Sequence, residues 1–266
     1  MMALSTGKQI RGARFKYPQR SAGLIVPIDH GLTIGPVAGI RDTREIAGWI
    51  SHPAICGVIA HKGILERLAA RGALAGKGVI LHLNGMSTLA TEPDRKEIIA
   101  SVETAVGLGA DGVSIQLNFN GDTDSHNLQL LGRISEETQR LGLPLLTMLY
   151  DKLPFIDEDA RLWRLRHLIR ICVELGTDAI KLAPPKSAHD LPAILEDTRE
   201  DAAVYFAGGE LMPDEELFAL TRDAVRQGAA GLCVGRNVFQ RKDPGPVLSH
   251  LQTILSGSEE SNALIL

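Results

Sequence analysis

The chain has 266 residues, 44% of them hydrophobic and 23% charged, with a formal net charge of −4. Acids and bases are interspersed, so nothing in it suggests a nucleic-acid or membrane-binding surface. Aromatics at 4% leave few platforms for stacking bases, and no apolar run approaches the length of a membrane span.

The chain opens with Met1 to Tyr17, which is basic and lacks the apolar core of a signal peptide, so a cytoplasmic location is expected. Cys56, Cys172 and Cys233 are far apart and odd in number; they read as buried thiols of a reducing compartment. Short apolar runs begin near Leu24, Cys56, Val79, Val113, Leu145, Ala179, Ala203 and Leu232, and each reads as a strand. Between and after them the pattern predicts helices over Asp42–Ile50, Ile64–Arg71, Asp94–Leu108, Asn127–Leu141, Asp157–Leu175, Ala188–Arg199, Asp214–Gln227 and Pro246–Leu255. Pairs such as Gly109-Ala110 and Gly176-Thr177 suit a helix C-cap before a short turn into the next strand.

Eight strands alternating with eight helices over about 250 residues match a (β/α)8 barrel. A doubly wound sheet would show a glycine fingerprint after its first strand, where Asp29-His30-Gly31 stands instead. The fold expected is therefore α/β, a single TIM barrel over residues 1–266. It has an N-terminal extension to about residue 22 and a tail over about 256–266.

Catalytic groups of such barrels stand at the C-terminal strand ends. Here those ends carry Asp29-His30, His61-Lys62, His82 and Asn84, Gln116 and Asn118, Tyr150-Asp151, Lys181, Gly208-Gly209 and Gly235-Arg236-Asn237. In Ala179-Ile-Lys-Leu182 the period of two sets Ala179 and Lys181 on one face, and Pro184-Pro185 ends the strand just beyond. A lysine aimed into a barrel loses hydration; it either pairs or snorkels, or serves as an amine nucleophile.

His30, His61 and His82 invite a metal, yet no His-Glu-x-x-His helix or His-x-His pair accompanies them. Polar histidines beside a substrate are the expectation, with no metal and no cofactor. Ala207-Gly208-Gly209 and Gly235-Arg236-Asn237 follow strands seven and eight, where barrels bind phosphate through backbone amides. Arg236 would add a charge-assisted bond.

These segments resemble the archaeal-type class I fructose-bisphosphate aldolases and, more closely, the 2-amino-3,7-dideoxy-D-threo-hept-6-ulosonate synthases. The resemblance is carried by Ile25-Val-Pro-Ile-Asp-His-Gly31, Ala60-His-Lys-Gly63, Gly109-Ala-Asp-Gly-Val-Ser-Ile115 and Pro144-Leu-Leu-Thr-Met-Leu-Tyr150. It continues through Ala179-Ile-Lys181, Ala207-Gly-Gly209 and Gly231-Leu-Cys-Val-Gly-Arg-Asn-Val-Phe-Gln240. It implies that Lys181 forms a Schiff base, with Tyr150 as general acid/base and Asp29 as its partner near the iminium. It sets Gly208, Gly209, Gly235 and Arg236 at phosphate-binding positions; the strand-end reading itself adds His30, His61 and Lys62 as residues expected close to substrate. The implied partners are a phosphorylated ketose and an aldehyde, in a homo-oligomer that the resemblance makes a decamer. Such chemistry needs an unprotonated amine, so the Lys181 pKa is expected to fall toward neutrality, helped by Lys62 or Arg236.

The surroundings depart from the family pattern at Leu182–Lys186, Asp151–Leu153 and Glu210–Leu211. Glu210 would repel a second phosphate but could pair with an ammonium, as on aspartate semialdehyde. Two readings outside the aldolases stay open on the residues alone: an isomerase with Asp29 and His61 as bases, and a silent binding barrel.

Overall fold

The computed structural model describes residues 5–155 and 157–258; residues 1–4 of the expected extension and the tail beyond Ser258 lie outside them. Eight parallel strands close into a barrel: β1 Gly23–Pro27, β2 Gly57–Ala60, β3 Gly78–His82, β4 Gly112–Phe119, β5 Leu145–Asp151, β6 Ala179–Leu182, β7 Ala203–Phe206 and β8 Gly231–Cys233. Each strand pairs with the next in sequence, and β8 pairs with β1 through Gly23–Gly231, Leu24–Leu232 and Ile25–Cys233. All eight predicted strands are present.

Alternation along the strands builds two cores. Residues facing outward, such as Leu24, Val58, Leu81, Ile180 and Phe206, pack against the helices. Residues facing inward, Ile25, Ile59, Ile80, Leu146, Met148, Tyr205 and Cys233, fill the barrel itself. Burial on both faces is why the strands read as short, nearly continuous apolar runs.

The N-terminal end of the barrel is stoppered by the extension. A helix over Thr6–Gly12, capped by Ser5, leads into a 3-10 turn at Ala13–Phe15, and Phe15 joins the inner core. An added Cβ at Gly78 would lie 2.7 Å from the Phe15 ring, and one at Gly57 3.0 Å from it. These strands open with glycine because the stopper comes that close. Two ion pairs fasten it: Lys8–Asp178 at 2.7 Å, and Arg14–Asp111. Both carboxylates also accept strand amides, Asp178 from Leu145 and Asp111 from Val79, so extension and strands share the same anchors.

The long helices agree with the sequence to within a few residues: Asp124–Leu141, Glu158–Glu174, Asp214–Arg226 and Gly245–Leu255. Asp157 caps one through Ala160 N, and Gly142, at φ 67°, ends another in the left-handed conformation glycine permits. Three helices are cut short. The predicted Asp42–Ile50 is helical over Thr43–Ala47. The predicted Ala188–Arg199 is a 3-10 turn, Ala188–Asp190, followed by Leu191–Leu195.

The predicted Asp94–Leu108 is helical only over Val102–Gly107, because Ser101 Oγ caps it by accepting from Thr104 N at 3.1 Å. Upstream, Glu97–Ile98 pairs antiparallel with Asn84–Gly85, and the Ile99 and Ala100 amides both donate to Leu83 O. Main-chain pairing with the end of β3 overrides the helical pattern there. Residues 86–100 become an excursion over the C-terminal rim.

Candidate active site

Lys181 lies on β6, only 6% exposed, with Nζ 4.0 Å from the Met148 sulfur on β5. Register pairs Lys181 with Met148 on one side and with Tyr205 on the other, both inner-core residues. Tyr150 stands two residues beyond Met148, on the same inward face one step nearer the rim. The sheet thus stacks the phenol above the amine.

Asp29 follows β1 and begins the single turn His30–Ile34. Its carboxylate lies 3.8 Å from His82 Nε2 and 3.8 Å from His30 Nδ1. Burial alone would push the Asp29 carboxyl up, but His82, His30, Lys181 and His61 outweigh it and hold it at about 2. Burial pushes His82 down to about 4 against the pull of Asp29, and it pushes His30 and His61 down as well. The rim therefore presents neutral imidazoles around one carboxylate.

Each histidine is placed by a distinct contact. His82 Nδ1 meets Ser114 Oγ at 2.8 Å, and His61 Nδ1 donates to His82 O at 3.3 Å. The His30 ring meets Phe239 edge-on at 5.3 Å, and a Cβ on Gly235 would come within 2.8 Å of it. That Cβ would also come within 2.9 Å of the Phe239 ring and the Pro27 carbonyl oxygen, so glycine is required there. Among the described residues no group of three or more His, Cys, Asp or Glu side chains could hold a metal ion.

Burial pushes the Lys181 ammonium down, yet Tyr150, Cys233 and Asp29 act the other way and Arg236 only partly opposes them. The balance is upward, which corrects the expected fall toward neutrality. The carboxylate that resists neutralisation of the ammonium would favour an iminium at the same nitrogen, since both carry the same charge.

Gly208 and Gly209 follow β7, and the carbonyl of Gly208 accepts from Asn237 Nδ2 at 3.0 Å. A Cβ on Gly208 would lie 2.5 Å from that nitrogen. Asn237 also binds Glu210 O and Met212 N, so the two glycine turns form one knit surface. Arg236 projects from it and is ion-paired with Glu210, whose side chain is 84% exposed. Glu210 thus directs its charge at Arg236.

Asp29, His30, His61, Tyr150, Lys181 and the glycine turns surround one end of the barrel. Lys62 does not join them: it is exposed on the first turn of Lys62–Ala70 and is not among the groups that shift Lys181 or Asp29.

A profile of DeoC/LacD family aldolases matches residues 23–241. The chain belongs to the DeoC/LacD aldolase family. It is 34% identical to 2-amino-3,7-dideoxy-D-threo-hept-6-ulosonate synthase 1 of Archaeoglobus fulgidus, over 95% of this chain and 92% of that one. It is 29% identical to 2-amino-4,5-dihydroxy-6-oxo-7-(phosphonooxy)heptanoate synthase of Streptomyces griseus, over 94% and 91%. An archaeal fructose 1,6-bisphosphate aldolase crystal structure superposes with a TM-score of 0.82 at 25% identity, covering 93% of this chain and 98% of that one.

Three polar residues of this DeoC/LacD aldolase escaped the sequence reading. Asp94 and Lys96 fall within the predicted helix Asp94–Leu108, and Ser114 alternates with Val113 and Ile115 along a strand, so neither pattern marks them as site residues. Only the pairing of residues 97–98 with 84–85 turns the first two toward the rim.

Proposed function

We propose that the chain is a class I aldolase that joins a phosphorylated ketose-derived donor to an aldehyde through a Schiff base on Lys181. The observation that carries this reading is a lysine buried within the barrel at the end of β6, beneath Tyr150 and within the field of Asp29.

The steps follow from the arrangement. The unprotonated Nζ adds to the donor ketone, and its proton passes to the carbonyl oxygen to give a carbinolamine. Asp29 assists loss of water, leaving the iminium it also stabilises. Electron withdrawal into that iminium lets the adjacent carbon give a proton to the Asp29 carboxylate and become an enamine. The enamine carbon attacks the aldehyde carbon, Tyr150 protonates the alkoxide, and water releases the product. Gly208, Gly209, Gly235 and Arg236 would hold the donor phosphate, so that remote binding energy orients the reacting carbons. Arg236 must exchange Glu210 for the phosphate to do so. His30 and His61 line the same rim as neutral donors or acceptors, and Lys62 remains a candidate for substrate approach at its edge.

The names of these relatives describe products with a 2-amino acid at one end and a ketone near the other. An amino-acid aldehyde such as aspartate semialdehyde is therefore the acceptor we assign. No described helix is long and apolar enough to cross a membrane, and exposed Leu128 and Trp163 on the outer helices suit assembly into a homo-oligomer. Comparing kcat/KM for condensation with aspartate semialdehyde against cleavage of fructose 1,6-bisphosphate tests the assignment. The first should exceed the second; a clear preference for the bisphosphate replaces this reading with the glycolytic one.

A further inference from the structure

Resting on the reading above, we propose that Lys96, Lys152 and Asp94 form the subsite for the acceptor's amino-acid end, the two ammonium groups taking its carboxylate and Asp94 its ammonium.

Lys96 is the starting point. It is 4% exposed, among the most deeply buried lysines of the chain, yet its ammonium donates only to Met86 O, at a long 3.4 Å. Lys8, equally buried, is engaged by Asp178 at 2.7 Å. An ammonium has three donors, and among the described residues Lys96 reaches no carboxylate within ion-pair distance. Such a group costs stability unless something anionic joins it.

Its position says what could. The Lys96 carbonyl is held by His126 Nε2 at 2.9 Å, and the ribbon formed by Glu97–Ile98 and Asn84–Gly85 fixes the segment over the ends of β3 and β4. Its charge acts on both His82 and Asp29, so it lies within electrostatic reach of the catalytic cluster.

Asp94 is held beside it by Asn118 Nδ2, which donates to its carbonyl at 3.1 Å and its carboxylate at 3.2 Å. Gln116 Nε2 in turn donates to Asn118 Oδ1 at 2.9 Å, which fixes the amide's orientation. Lys152 Nζ stands 3.8 Å from Asp94 and 5.8 Å from the centre of the Tyr150 ring. A side chain 43% exposed marks the open edge, and buried Lys96 marks the floor.

Two cations and one anion in this order complement a zwitterion, not a second phosphate, because Asp94 would repel a dianion. The subsite also lies on the β3–β5 side of the rim, away from the glycine turns after β7 and β8. A substrate lying across Lys181 would therefore put its phosphate on one side and its amino-acid end on the other.

The test uses the full chain and three variants, Lys96→Met, Lys152→Gln and Asp94→Asn. L-Homoserine, the unreactive alcohol counterpart of aspartate semialdehyde, is titrated calorimetrically with and without a ketose phosphate present. KM is then measured for aspartate semialdehyde and for uncharged glyceraldehyde. Lys96→Met should weaken homoserine and raise KM for the semialdehyde by about 10-fold or more, with glyceraldehyde unchanged and the thermal midpoint equal or higher. Lys152→Gln, a surface change that tests the same idea if Lys96→Met fails to fold, should act in the same direction more weakly. Asp94→Asn should narrow the preference for aspartate semialdehyde over succinate semialdehyde, which lacks the ammonium.

No homoserine binding to the parent, or equal binding in parent and variants, overturns the subsite. So does a KM that rises equally for charged and uncharged aldehydes. Binding that depends on Lys96 in a protein forming no imine would uphold the subsite and remove only the aldolase reading.

Discussion

At the N-terminal end of the barrel Phe15 presses its ring against Gly57 and Gly78, whereas at the C-terminal end of the same sheet Asp29, His61, His82 and Lys181 crowd together. The lower end is apolar, and its charges are spent in direct ion pairs such as Lys8–Asp178. The upper end buries charge with looser partners: the Asp29 carboxylate stands 3.8 Å from the His82 and His30 imidazoles, and among the described residues Lys181 Nζ meets only a thioether, at 4.0 Å. Contacts at the lower end are satisfied within the protein and serve stability. Those at the upper end are left for a ligand to complete.

If that division holds, changes at the two ends should separate rate from stability. Tyr150→Phe keeps the ring that packs in the upper barrel and removes only the hydroxyl. Turnover should drop by roughly 10²–10⁴-fold with imine formation and thermal midpoint retained. Single-turnover kinetics beside a melting curve measure both; an unchanged rate would remove Tyr150 from proton transfer.

Phe15→Ala should do the reverse, costing about 3–5 kcal/mol of unfolding free energy while leaving kcat of the folded enzyme near the parent value. Denaturant unfolding paired with an active-site titration reads this. A fall in kcat at unchanged stability would show that the stopper shapes the site.

Acid should find the upper end first. His82 is held at about 4 against an ordinary 6.5, so between those values the unfolded chain binds more protons than the folded one. Stability is then present above about 6.5 and is lost as pH falls toward 4, by about 3 kcal/mol from this group. Asp29, held at about 2 against 3.8, adds its loss only below 3.8. His82→Gln should flatten the stability profile between pH 6.5 and 4 without abolishing it, since His30 and His61 are depressed in the same sense. A parent profile flat across that window would contradict the neutral-imidazole rim.

The same division explains what the sequence allowed one to read. Strand ends were legible because alternation fixes which residues face inward and Pro184-Pro185 marks where one strand stops, which drew attention to Lys181; the roles of Tyr150 and Asp29 came from the family resemblance. Phe15 was not legible: an aromatic in a short basic segment carries no period, and the glycines opening β2 to β4 gain their meaning only from the ring they approach. Lys96 was hidden by a helical pattern that main-chain pairing with β3 overrides. The Lys181 shift was misread because burial shows in a sequence pattern, while the balance of Tyr150, Cys233 and Asp29 against Arg236 depends on distance.

Borohydride trapping with dihydroxyacetone phosphate, read by peptide mass spectrometry, tests the central claim most directly. A stable adduct should map to the peptide carrying Lys181 and disappear in Lys181→Met. It should form faster as pH rises, because the resting nitrogen is held as an ammonium by its surroundings. An adduct on Lys96 or Lys186, or none at any pH with catalytic turnover intact, would contradict the account.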